Sequence, residues 1–133
     1  MTLQYSATVR NASLDAIETA IGTSAVLKIR EGAPPATVAT ADSGTVLATL
    51  TLPSDWMAAA SSGAKAKSGT WEDTSADASG TAAHFRLYAS NGTTAHMQGT
   101  VGTSGTDMTV DSTSFTATQS FTVNTFTITD GNP

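Results

Sequence analysis

Beyond Gly22 the apolar residues of this 133-residue chain fall into short runs in which every second side chain is apolar, and the runs are separated by Gly, Pro, Asn or Ser. A period of two sends alternate side chains to opposite faces of a pleated strand, so such a chain is committed to sheets with one buried face. Leu27 and Ile29 alternate with Val26, Lys28 and Arg30. "TVLATLTL" (Thr45 to Leu52) puts Val46, Ala48, Leu50 and Leu52 on one face, and Pro53 ends it. "TDMTVD" repeats the pattern with Met108 and Val110. In "FTATQSFTVNTFTITD" the apolar parity changes from odd (Phe115, Phe121, Val123) to even (Phe126, Ile128). Either a one-residue bulge near Asn124 and Thr125 or a strand bending from one sheet to another accounts for the change.

"NASLDAIETAIG" breaks this pattern. Leu14, Ile17 and Ile21 recur at spacings of three and four, with Asn11 or Ser13 as candidate N-cap and Gly22 as the stop. A helix of about ten residues is marginal alone, so its apolar stripe must dock. Ahead of it Leu3, Tyr5, Ala7 and Val9 alternate with polar residues, which predicts a strand, or an N-terminal arm over residues 1–10 that pairs with another chain. Ser54 predicts a helical turn through "DWMAAA", followed by an exposed loop with a short strand near "KAKSGTW". The expected fold is one domain over residues 1–133, mainly β: a jelly-roll-like β-sandwich with one short N-terminal helix.

Both histidines sit in "HFRLYASNGTTAHMQG", His84 to Gly99. A two-residue Asn91-Gly92 loop would set apolar against polar residues along the whole ladder. A three-residue Ser90-Asn91-Gly92 loop with Gly92 as a left-handed bulge instead pairs Leu87 with Ala95 and Phe85 with Met97. One face is then Phe85, Leu87, Ala89, Ala95 and Met97; the other carries His84, Arg86, Tyr88, Thr94, His96 and Gln98, with His96 opposite Arg86. No carboxylate partner is apparent locally, so the second face is expected to be a solvated or interface face.

Composition narrows the function. Thr, Ala, Ser and Gly supply more than half of the chain, charged residues only 13%, and the net charge is −5. Scattered basic residues and an acidic balance argue against a nucleic-acid surface. With no Cys and two His there is no expected zinc or iron site, and "DTSAD" (Asp73, Asp77) and "DGN" at Asp130 lack the ligand density of a calcium loop and are expected to be solvated turns. "GTVGTSGT" lacks the phosphate-cradling spacing. "TAAH" and "DSG" look like fragments of the chymotrypsin-like protease motifs, but here the serine precedes the histidine and the chain is too short for that double barrel. No enzyme, cofactor or metal is expected. No apolar run approaches a bilayer span and the N-terminus lacks a signal-peptide pattern, so no membrane partner is expected, and the mature chain is expected to begin near Met1. Trp56 and Trp71 read either as core anchors or as oligomer contacts.

The segment "LDAIETAIGTSAVLKIREGAPPATVATADSGTVLATLTLPSDWM", followed by "GTW" and a Gly- and Thr-rich β half, resembles small structural proteins of tailed phages and prophages, and within them the capsid cement, or decoration, proteins. The resemblance implies a jelly-roll or related β fold, a dimer or trimer, and a place on the outer surface of the virion, across junctions of the major capsid protein, after synthesis in the host cytoplasm. Candidate contacts with the capsid or between copies are Leu3, Tyr5 and Val9 in the arm, and Trp56 and Trp71 around the following loop. The alternatives are another phage part (tail tube, head-completion or fibre-associated protein) and a carbohydrate-binding β-sandwich module.

Overall fold

A computed structural model describes residues 3–130. The described residues are mainly β, with one helix and a five-stranded sheet. The sheet contains β1 (Val26–Arg30), β2 (Val46–Thr51), β6 (His84–Tyr88), β7 (Ala95–Gly102) and β8 (Met108–Thr109), in the order β2-β1-β6-β7-β8, with β6 in the middle. All neighbours are antiparallel except β7 and β8. Among the described residues three two-stranded ladders accompany the sheet: β3 (Ala64–Ala66) with β11 (Thr127–Thr129), β4 (Trp71–Asp73) with β10 (Phe121–Val123), and β5 (Gly80–Thr81) with β9 (Ser114–Phe115).

Residues directly opposite each other in neighbouring strands share a face. Leu50, Leu27, Leu87 and Met97 form one apolar row across the sheet, and Ala48, Ile29, Phe85 and Gly99 form the next. A Cβ on Gly99 would stand 2.8 Å from the Phe85 ring, so the missing side chain leaves the room that ring occupies beside β7. The other face carries Thr49, Lys28, Arg86 and Gln98 in one row and Val46, Arg30, His84 and Thr100 in another. The apolar face joins the ladders through Phe126. Its ring meets Phe85 edge-on at 5.7 Å and Trp71 at 5.7 Å, and Trp71 lies 6.1 Å from Trp56.

Several expectations change. Residues 3–6 are not a strand and the helix α1 runs Ala7–Ile21, a turn longer than its apolar spacing implied, because Ser6 caps it by accepting the Val9 N–H at 3.3 Å. Val9 is therefore helical, and Asn11 and Ser13 lie inside the helix rather than capping it; Met1 and Thr2 of the expected arm lie outside the described residues. "DWMAAA" forms no helix: Met57 bridges Lys67, and the Trp56 carbonyl accepts the Ser68 N–H. The parity change near Asn124 is a strand passing between ladders, since β10 pairs with β4 and β11 with β3.

The hairpin keeps Phe85, Leu87 and Met97 on one face and Arg86 and Gln98 on the other, but its register shifts and Ala95, expected on the apolar face, lies with Tyr88 on the polar one. Ala89 N–H bonds to the Thr94 carbonyl, Asn91 Oδ1 accepts the N–H groups of Thr93 and Thr94, and Gly92 has φ +71. These bonds close a four-residue loop, so Tyr88 pairs with Ala95; a bulge then sets Leu87 against Met97 and Phe85 against Gly99. His96 is the extra, outward residue, and Arg86 faces Gln98 rather than His96. Phe85 and Met97 line one hollow, as the face assignment required. The acidic turn of Asp73 and Asp77 is not merely solvated: Asp73 Oδ2 accepts the Thr49 N–H and Asp77 Oδ2 the Thr49 hydroxyl, which closes part of the β2 edge. The Asp130 carbonyl accepts a bond from Arg10 Nη1; the rest of "DGN" lies outside the described residues.

Candidate functional site

The polar face of the sheet, expected to be a solvated or interface face, is buried at its centre within the chain. His84 and Arg86 are 0% and 1% exposed, and Arg30 6%. Residues 31–45, which connect β1 to β2, fold back across them. Asp42 is the hub: its Oδ1 takes bonds from Arg86 Nη1 and, at 2.8 Å, from the Tyr88 hydroxyl, while its Oδ2 lies 3.1 Å from Arg30 Nη2. Arg86 Nη2 also donates to the carbonyls of Val38 (2.7 Å) and Thr37 (3.2 Å), Arg30 Nη1 to Gly44 O (2.9 Å), and Gln98 Nε2 to Pro35 O (2.7 Å). Desolvation opposes charge on Asp42, but the bonds from Arg86 and Tyr88 and the two guanidinium charges outweigh it and hold its carboxyl below the usual range. Burial raises the Tyr88 hydroxyl, helped by the same carboxylate.

His84 Nδ1 lies 2.6 Å from the Gly32 carbonyl, so it carries the proton and donates. Its Nε2 is buried without a partner. Burial first, and then the charges of Arg30 and Arg86, push this imidazole below its ordinary value despite the Gly32 bond. The ring is therefore a neutral donor that holds the loop.

A second polar cluster fastens the helix. Asn11, Asp15 and Glu18 form one stripe of α1, and their oxygens accept the backbone N–H groups of Gly63, Ala60 and Met57. Lys65, only 2% exposed, sits between Asp15 (2.7 Å) and Glu18 (3.0 Å) and donates to Ala58 O. Burial disfavours its charge, yet the bonds it donates to both carboxylates prevail and raise its pKa. Asp15 is lowered in turn, chiefly by its bond from Lys65. Both clusters satisfy backbone groups that regular structure leaves open.

Of the residues expected as contacts, Trp56 and Trp71 are 0% and 1% exposed and belong to the interior. Trp56 Nε1 donates to Gly22 O, and Trp71 Nε1 to the Trp56 and Ser68 carbonyls. Both therefore serve as core anchors and present no contact surface. Leu3, Tyr5 and Val9 are 70%, 51% and 49% exposed, and among the described residues they are the exposed large hydrophobic side chains. All three fall within the lead-in to α1 and its first turn. Sequence reasoning missed Asp42 as the partner of the polar face. The signal was available: two arginines on strands now seen to be neighbours require a carboxylate, and the adjoining loop offers only Glu31 and Asp42. Among the described residues no three His, Asp or Glu side chains gather to hold a metal ion.

Comparison with protein-family models, with curated proteins and with solved structures gives no match.

Proposed function

We propose that this chain is a capsid cement, or decoration, protein of a tailed phage, binding the outside of the major capsid protein shell as a homo-oligomer. The observation that carries the proposal is the concentration of exposed large apolar side chains, Leu3, Tyr5 and Val9, in one short segment at the start of α1. Exposed apolar groups gathered in one place mark a contact surface more readily than the same groups scattered. The segment order described above supplies the phage connection, and the segment is the part expected to meet the capsid or another copy. A small individual contact suffices, because copies linked on a repetitive shell bind far more tightly than one copy does.

The fold proposed with this role is a jelly-roll-like sandwich. In this reading the five-stranded sheet serves as one layer and the β3/β11 and β4/β10 ladders as the second; the contacts of Phe126 with Phe85 and with Trp71 support it. The buried clasps suit a cement protein, since a loop tied by ionic hydrogen bonds keeps a fixed outer shape.

The test is to add the purified chain to phage shells that lack it and to count bound copies by electron cryomicroscopy. Ordered density on the outer surface supports the role. Replacing Leu3, Tyr5 and Val9 together by Ser is expected to remove that density while leaving the fold intact by circular dichroism. No binding by the wild-type chain, or density confined to a tail, overturns it.

A further inference from the structure

We propose that His84 makes residues 31–45 an acid-released cover over the polar face of the sheet. Two observations carry this. First, no residue from 31 to 45 is fully buried, so the segment is held by hydrogen bonds rather than by apolar packing. Its anchors are the carbonyls of Gly32, Pro35, Thr37, Val38 and Gly44 and the carboxylate of Asp42. A segment held in this way opens apart from the core, whose rows lie on the opposite face of the sheet.

Second, the histidine beneath it cannot accept a proton in place. Nδ1 is already the donor to Gly32, and Nε2 is buried with no acceptor. A second N–H there leaves a buried donor unsatisfied. The new charge also stands among like charges. From β1, Arg30 lies directly opposite and Lys28 further along; from β6 come the Arg86 cation and the uncharged Tyr88 hydroxyl; β7 faces it with the neutral Thr100. The cover contributes Glu31, whose carboxylate lies against Gly80, and Asp42, which is engaged by both guanidiniums. Moving the cover away takes Asp42 with it, but it gives Nε2 access to water, which hydrates the imidazolium and screens it from Arg30 and Arg86. Protonation and opening are therefore linked, and opening uncovers a face bearing Arg30, His84 and Arg86.

Linkage sets the size of the effect. The open form binds the proton near the ordinary histidine value of about 6.5 and the closed form binds it less well, so the opening constant rises by up to tenfold per pH unit below that point. The experiment is hydrogen exchange with mass spectrometry on the full chain, wild type beside His84→Gln, between pH 8 and pH 5. Comparison at each pH cancels the intrinsic dependence of exchange. The expected result is a wild-type to variant ratio that grows toward acid in peptides from 31–45 while the α1 and β2 peptides stay level. A flat ratio, or a rise shared by the whole chain, overturns the proposal. Should His84→Gln fail to fold, NMR titration of the wild-type protein decides. Loop amide shifts that share the midpoint of the His84 ring support the proposal; a ring that titrates while the loop amides stay still overturns it.

Discussion

Replacing Asp42 by Ala removes the carboxylate that two buried arginines share. The Arg30 and Arg86 side chains are 8% and 2% exposed, whereas Asp42 is 38% exposed. Breaking a fully buried ion pair from one side costs about 3–5 kcal/mol, because the remaining charge stays buried without a counter-charge. Here water reaches the Asp42 side and returns part of that cost, and Tyr88 loses an acceptor as well, so the expected loss is about 2–3 kcal/mol. With a urea slope of about 1.5 kcal/mol/M, the midpoint should fall by about 1.3–2 M. Tryptophan fluorescence reports it, since Trp56 and Trp71 are buried in the core. A cycle with Arg86→Met completes the test: the two changes should couple by more than about 1 kcal/mol, because they act on one network. A midpoint shift below about 0.3 M, or additive effects, would refute the reasoning and reduce Asp42 to an ordinary surface ion pair.

Phe126→Ala removes the ring that joins the sheet to the ladders and should cost about 3–5 kcal/mol by calorimetry; a loss under about 1 kcal/mol would show that the two parts hold together without it. Gly44 has φ +80, and a Cβ there would stand 2.0 Å from the Glu31 carbonyl oxygen, so Gly44→Ala should cost about 2 kcal/mol or more in the same assay. Stability should be level near neutral pH and fall in two stages toward acid. His84, depressed in the fold, costs stability once the unfolded chain takes up its proton below about 6.5; Asp42 and Asp15, also depressed, contribute stability above their unfolded value of about 3.9 that is lost as pH falls through their folded values. On the alkaline side Lys65, raised in the fold, contributes stability below about 10.4 that is lost as pH rises through its folded value. Urea midpoints measured from pH 3 to pH 11 check both limbs, and a His84→Gln chain that keeps the first acid stage would contradict the assignment.

The local rules read from the sequence hold where neighbours in the chain are neighbours in space. Leu14 and Ile21 face the core from one helix because their spacing matches its period, and Phe85, Leu87 and Met97 share a face because a strand alternates. The same rules misplaced the start of α1, since the apolar stripe begins after the Ser6 cap. They also misplaced the hairpin register, since one bulge at His96 is invisible to periodicity. At the candidate site, Leu3, Tyr5 and Val9 are exposed, whereas Trp56 and Trp71 are drawn inside by partners far along the chain.

What the sequence determined by itself is therefore the central strands and the faces of their regular stretches, because both follow from backbone geometry over a few residues; Val46 and Ala95 change face where a bulge interrupts the alternation. What only the tertiary structure decided is what covers each face. A row of Arg30, His84, Arg86 and Tyr88 reads equally well as a wet surface or a sealed one. It is sealed here because residues 31–45 return over it with Asp42 and a set of carbonyls that meet its donors, and that match exists only once β1 and β6 stand side by side.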